Sequence, residues 1–261
     1  MDLQLKGQVA VVTGGAQGIG AGISKMLAAE GVNIVINDFC SLEISEPFAK
    51  SLEETYGVRA VAVQGDVTKP ENAENVLSVC LNTFGGVDIL VNNAGAGGRR
   101  CEFEELTYED WKRVQDLNLN GAFLMCSCFI KYWKRNSRAG HIVNTISKAA
   151  FMSNSTGNDA YVSAKAGLMG LTRALAKGNA SHNIWVNGIV PGYVFNSRLQ
   201  NREAGLASGN KRYETVMGDG HLPLGEFASP EDMGAVVAFL CSPKAKQICG
   251  TAIDCTGGTL V

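Results

Sequence analysis

The chain has 261 residues, 46% of them hydrophobic and 18% charged, with a net charge of −2. That length suits one α/β domain, the near-neutral charge gives no basic field for nucleic acid or an anionic membrane, and no apolar run approaches the roughly 18 residues of a membrane span. Met1-Asp2-Leu3-Gln4 lacks the basic-then-apolar pattern of a secretory signal, so a cytoplasmic protein is expected, in which Cys40, Cys80, Cys101, Cys126, Cys128, Cys241, Cys249 and Cys255 are reduced thiols and no metal site is built.

The pattern alternates apolar strand, turn and helix. Val9–Thr13 is a short continuous apolar run, which fits a strand buried on both faces. Ile19–Glu30 reads as a helix stopped by Gly31, Asn33–Asn37 as the second strand, and Ser45–Tyr56 as a helix stopped by Gly57. Ala60–Gln64 is the third strand, Pro70 opens a helix to about Phe84, and Ile89–Asn92 is the fourth strand. Tyr108–Lys134 reads as one long helix with Gly121 inside it, and His141–Ile146 as the fifth strand. Asp159–Ala180 is the next helix, Ile184–Val190 the sixth strand, Ser229–Cys241 a helix capped by Ser229 with Pro230 at its first position, and Ala252–Asp254 a last short strand. About seven strands with six helices predict a doubly wound parallel sheet in a single domain spanning 1–261. Residues 193–228 break the pattern: they are polar, contain five glycines, and follow the sixth strand, where such sheets place ligands. That stretch is expected to cover substrate.

The first strand runs into Thr13-Gly14-Gly15-Ala16-Gln17-Gly18-Ile19-Gly20 and then a helix. Glycines there allow a tight turn and close approach of a pyrophosphate, which the free N–H groups of the helix start can bind. Asp38, at the end of the second strand, is placed to accept from both hydroxyls of an adenosine ribose and to repel a 2′-phosphate, and Gln17 brings no offsetting positive charge. Both favour NAD over NADP. Asp66 and Val67, after the third strand, are read as the adenine end of the site; a turn or N-cap role for Asp66 is the alternative.

Tyr161 and Lys165 stand at i and i+4 on one helix face, with Ser147 fourteen residues upstream. A phenol with its ordinary pKa near 10 needs roughly 4 kcal/mol of phenolate stabilisation to act as a base near neutrality. The lysine ammonium and a cationic nicotinamide ring are expected to supply it.

Taken together, Gly14-x-x-x-Gly18-x-Gly20, Asn92-Asn93-Ala94-Gly95, Asn118, Ser147, Tyr161-x-x-x-Lys165 and Pro191-Gly192 make the chain, from about residue 5 to its end, resemble the short-chain dehydrogenase/reductases. The resemblance implies a Rossmann-type fold, a nicotinamide cofactor, interconversion of an alcohol and a carbonyl in a small-molecule substrate, and a homotetramer or homodimer. It implies that Tyr161 is the general acid/base, Lys165 holds the nicotinamide ribose and lowers the tyrosine pKa, Ser147 orients the substrate oxygen, and Asn118 holds a water linking Lys165 to solvent, with Asn120 the rival by position. It places Asn93 and Gly95 along the adenosine-side ribose and Pro191, Gly192 and the Val194 backbone at the carboxamide. The family often has threonine five residues after that proline; here Asn196 stands there.

Arg99, Arg100, the polar run 152–158, and Arg198, Arg202, Lys211 and Arg212 line the segments expected to meet substrate, which suggests a sugar, polyol or hydroxy acid. The alternatives are an NADPH-dependent ketoacyl reductase, a hydroxysteroid dehydrogenase, a dehydratase or epimerase on the same scaffold, a hydrolase pairing Ser147 with His141, His182 or His221, and a regulatory protein that only senses NAD(H).

Overall fold

A computed structural model of the chain describes residues 1–152, 157–195 and 222–260. Seven parallel strands form one sheet: β1 Val9–Thr13, β2 Asn33–Asp38, β3 Ala60–Gln64, β4 Ile89–Asn92, β5 Gly140–Thr145, β6 Ile184–Pro191 and β7 Ala252–Cys255. Their spatial order is β3-β2-β1-β4-β5-β6-β7, so the chain reverses its winding between β1 and β4. A crevice opens at the strand C-termini at such a switch point. The α-helices among the described residues are α1 Gly18–Ala29, α2 Leu42–Tyr56, α3 Pro70–Phe84, α4 Tyr108–Gln115, α5 Gly121–Arg135, α6 Asp159–Asn179 and α7 Pro230–Cys241. None is long and apolar enough to cross a membrane.

Alternation along β1 divides the core. Ala10 and Val12 join Ile34 and Ile36 under α1 and α7, while Val9 and Val11 join Val35 and Leu90 under α3 and α5. Phe129 and Trp133 are fully buried on the second side, and each contributes roughly 2–3 kcal/mol by burial. The indole Nε1 of Trp133 donates to Val87 O at 2.8 Å. A β-carbon at Gly140 would lie 2.4 Å from the Trp133 ring, so β5 has to begin with glycine to pass the indole.

On the first side, α1 and α7 cross almost backbone to backbone. A β-carbon at Gly22 would sit 2.3 Å from the Pro230 carbonyl carbon, and one at Gly234 would sit 2.7 Å from Gly22 O. Ser229 and Asp232 form the reciprocal cap expected of that helix start. The crossing ties α1, which carries the glycine loop, to the chain that returns from residues 222–228.

Two expected helices are drawn differently by the structure. The helix expected from Ser45 starts one turn earlier, at Leu42, capped by Ser41 Oγ accepting from Glu43 N at 3.2 Å. Pro47 therefore lies inside the helix. The helix expected over Tyr108–Lys134 is continuous in direction but contains a π turn at Asp116–Asn120. Gly121 does not break it. A β-carbon there would lie 2.9 Å from Val67 Cγ2, so the glycine lets α5 pack against the loop after β3.

Candidate active site

The strand ends open onto a cleft of about 1010 Å³. Its floor is the glycine loop. Gly14 and Gly18 have φ of 60° and 52°, a left-handed backbone that other residues adopt at a cost. Gly20 does not line the cleft. Its missing β-carbon would lie 2.0 Å from Gly14 O, so it lets α1 seat under the loop. No side chain caps α1 at Gln17, which leaves first-turn N–H groups without intrahelical partners. An uncapped helix start facing a cleft is a fit for a pyrophosphate.

Asn93 locks this loop. Its Nδ2 donates to Thr13 O at 3.0 Å and Gly14 O at 3.1 Å, and its Oδ1 accepts from Thr145 Oγ1 at 3.4 Å. The side chain expected along a ribose is therefore held by the loop carbonyls beneath it. Thr13 adds to the lock: its Oγ1 accepts from Asn93 N and Ala94 N, both at 3.0 Å. Neither threonine is evident from the sequence. The only signal is a hydroxyl at the C-terminal end of an otherwise apolar strand.

Asp38 lines the next part of the cleft, beside Gln17, Phe39 and Cys40. Its Oδ2 accepts from Ala16 N at 3.1 Å and its Oδ1 from Cys40 N at 3.1 Å. Burial, and then the Asp38 charge, push the Cys40 thiol up to about 11. Phe39 is 77% exposed, an aromatic face left open at the cleft. Asp66 and Val67 lie farther along; Asp66 Oδ1 accepts from Thr68 N at 2.9 Å, so the turn role is real as well.

At the other end stand Ser147, Tyr161 and Lys165, with Pro191 and Gly192 opposite. Ser147 leaves β5 and caps a short turn, its Oγ accepting from Ala149 N at 3.2 Å. The Tyr161 hydroxyl is hydrogen-bonded with Ser147. Lys165 Nζ lies 5.7 Å from the Tyr161 ring centroid and donates to Thr145 O at 2.8 Å. Lys165 is 3% exposed. Burial lowers its pKa to about 8.

The expected depression of the tyrosine does not appear in the ligand-free protein. Burial pushes the Tyr161 pKa up, opposed only by the bond with Ser147. Lys165 places one of its three N–H donors on Thr145 O, and the same burial lowers its own pKa.

Asn118 sits behind this group, not on the cleft wall. The π turn directs it inward, where Nδ2 donates to Ala96 O at 2.9 Å and Val114 O at 3.0 Å. Its Oδ1 is buried without a partner. A β-carbon on Gly95 would lie 2.6 Å from that oxygen and 3.1 Å from Lys165 Nζ. Gly95 thus leaves a gap between an orphaned acceptor and an ammonium, a place suited to a polar molecule. Val194 is buried and bridges to Ala228, so it too lies off the cleft wall.

No serine–histidine pair forms among the described residues. His141 starts at the opposite end of β5, roughly 20 Å from Ser147 along the strand, and stacks on Trp185 at 5.0 Å. Burial lowers its pKa to about 4. His182 lies in the turn before β6, also at the far end of the sheet. His221, Asn196, Arg198, Arg202, Lys211, Arg212 and residues 153–156 lie outside the described residues.

Residues 8–205 match the family model described as short chain dehydrogenase. The chain belongs to the short-chain dehydrogenase family. It is 34% identical over 258 residues to 3-oxoacyl-[acyl-carrier-protein] reductase of Aquifex aeolicus, covering 99% of both chains. It is 34% identical over 254 residues to 3beta-hydroxysteroid dehydrogenase 1 of Eggerthella lenta, covering 97% of this chain and 94% of that one. Among solved structures, L-sorbose reductase of Gluconobacter frateurii, complexed with NADPH and L-sorbose, superposes with a TM-score of 0.91 at 33% identity, covering 100% of this chain and 99% of that one. As a short-chain dehydrogenase the protein is an oxidoreductase of alcohol and carbonyl groups that uses a nicotinamide cofactor.

Proposed function

We propose that the protein is an NAD-dependent oxidoreductase acting on a small polar secondary alcohol and its carbonyl, with Tyr161 as general acid/base. One observation carries the reading: Ser147, Tyr161 and Lys165 share a cleft with an uncapped helix N-terminus and with Asp38. The first group can handle a proton at a substrate oxygen, and the second can hold a dinucleotide. Bound nicotinamide supplies the acceptor or donor of the hydride.

The chain's own residues do the rest. Ser147 fixes the substrate oxygen against Tyr161, and Tyr161 takes its proton in oxidation or returns one in reduction. Lys165, freed from Thr145 O, would bond a ribose hydroxyl and favour the phenolate by its charge. The Asn118 Oδ1 would hold the water that passes the proton on. Gly14, Gln17, Gly18 and Ile19 would carry the pyrophosphate, with Gly20 seating the helix that does so. Asp38 would hold the adenosine ribose and Asp66 with Val67 the adenine. Asn93 shapes the loop beneath, Gly95 leaves room for the ribose, and Pro191, Gly192 and Val194 form the nicotinamide end. Among the described residues beside Asp38, namely Gln17, Phe39 and Cys40, none is basic, which supports NAD. The second reading is an NADPH-dependent reductase, and the NADPH complex of the L-sorbose reductase is the observation that favours it. The proposal includes a cytoplasmic homotetramer or homodimer; of the stretch 193–228 expected to cover substrate, residues 196–221 lie outside the described residues.

The pH profile tests the proton assignment. Tyr161 and Lys165 interact, so protons leave the pair rather than either residue. The first loss falls near the Lys165 value of about 8. Below it both groups hold protons and no base exists. kcat/KM for oxidation should therefore rise with pH through about 8, and kcat/KM for reduction should fall over the same interval. Lys165→Met should move the oxidative limb above the ordinary tyrosine range, since burial, opposed only by the bond with Ser147, then governs Tyr161. An oxidative limb that stays in place in Lys165→Met would refute the assignment.

A further inference from the structure

Hydride and proton transfer give no task to Lys148, a cation beside this site. Lys148 opens the short turn Lys148–Ala150, directly after Ser147. The turn is fixed, because Lys148 O accepts from Phe151 N at 3.0 Å and Met152 N at 3.1 Å. Lys148 Nζ stands 3.5 Å from the centroid of the Tyr193 ring. Tyr193 follows Gly192, which lines the cleft. Lys148 and Tyr193 do not line the cleft themselves; the ammonium links the residues directly after Ser147 and Gly192, which do.

The ring beneath it is a fixed platform. Tyr193 packs edge-to-face on Phe227, with centroids 6.3 Å apart and planes at 87°. Tyr193 O accepts from Ala228 N at 3.1 Å, and Phe195 N donates to Ala228 O at 2.8 Å. Among the described residues no carboxylate pairs with Lys148. On the cleft wall Lys112 pairs with Asp116, and Arg113 with Asp110 at 3.4 Å.

A ring face contributes about 0.5–2 kcal/mol to holding a cation and accepts none of its N–H donors. A hydrogen bond to a charged group contributes about 1.5–3 kcal/mol. An ammonium resting on an aromatic ring therefore retains its affinity for an anion. We propose that Lys148 binds a carboxylate of the substrate, so that the alcohol oxidised is a small hydroxy acid and the carbonyl reduced is the matching oxo acid. A single ammonium at this turn matches one negative charge, where a phosphate dianion would call for more donors. Lys148 is then a specificity residue: it touches the substrate away from the reacting carbon and takes no part in proton transfer. The proposal rests on the oxidoreductase reading above.

The test is a fluorescence titration of the enzyme–NADH complex with butyrate and with its neutral isostere, butyramide. The wild type should bind butyrate more tightly than butyramide. Lys148→Met should weaken butyrate by about tenfold or more and butyramide far less, while Lys148→Arg should retain most of the butyrate affinity. Equal weakening of both ligands would show that Lys148 only supports the Tyr193 platform and would overturn the proposal. So would a wild-type complex that binds NADH but does not bind butyrate. Failure of NADH itself to bind would instead remove the oxidoreductase reading, and this proposal with it.

Discussion

Tyr161→Phe should lower kcat by roughly 10³-fold while NADH affinity stays within about twofold of wild type. The substitution removes one oxygen and leaves the ring beside Lys165 in place. The Tyr161 hydroxyl is hydrogen-bonded with Ser147, which keeps its bond from Ala149 N and so is not left stranded. Stopped-flow turnover with fluorescence binding separates the two effects. A variant retaining more than a tenth of wild-type turnover would show that another group handles the proton. Within the described cleft wall the remaining candidates are Lys165, whose pKa is lowered to about 8, and Ser147 acting through solvent. A protein that merely senses NAD(H) would show the same response with either residue present.

The second large effect concerns the cofactor. The wild type should favour NAD over NADP by at least about a hundredfold in kcat/KM. A 2′-phosphate dianion about 5 Å from the Asp38 carboxylate, at an effective dielectric of about 40, is repelled by about 3 kcal/mol, or roughly two orders of magnitude. Asp38→Asn removes the charge at nearly constant shape and should cut the preference to within about tenfold. Ala16 N and Cys40 N bond to different carboxylate oxygens, one of which becomes an NH2 donor in asparagine, so the glycine loop should also loosen and NAD binding should weaken. Parallel kinetics with the two cofactors read both changes. A wild type that already prefers NADP, or an Asp38→Asn ratio equal to the wild type's, would contradict the role given to Asp38.

How far the sequence reached depends on what each element needs. Strands buried on both faces, such as Val9–Thr13 and Ile89–Asn92, declare themselves as apolar runs, and parallel pairing with crossover helices then leaves few topologies open. Glycines at helix ends mark their stops, as Gly57 and Gly85 do. The start of α2 was hidden because Pro47 suggests a first turn, whereas a cap at Ser41 lets the helix begin earlier. The π turn has no local signature. It arises where α4 and α5 must turn Asn118 inward while Gly121 clears Val67, a tertiary demand.

The same division holds in the site. Tyr161, Lys165, Ser147, Asp38 and the glycine loop follow from type and spacing. The engagement of the Asn93 amide with Thr13 and Gly14, and of Lys165 with Thr145 O, depends on strand ends meeting across the switch between β1, β4 and β5. Lys148 carries no signal in the sequence for the same reason. As a residue in a list it is one more lysine, and only the placement of Tyr193 beneath it makes it a feature of the site.

The central claim is hydride transfer to NAD from a polar secondary alcohol. It is tested most directly by following reduced-nicotinamide absorbance with NAD and NADP in parallel across hydroxy acids, polyols, sugars and sterols. The account predicts NADH formation with NAD on the polar alcohols, hydroxy acids foremost. Cofactor binding without reduction by any alcohol, and without oxidation of NADH or NADPH by the matching carbonyls, would contradict it.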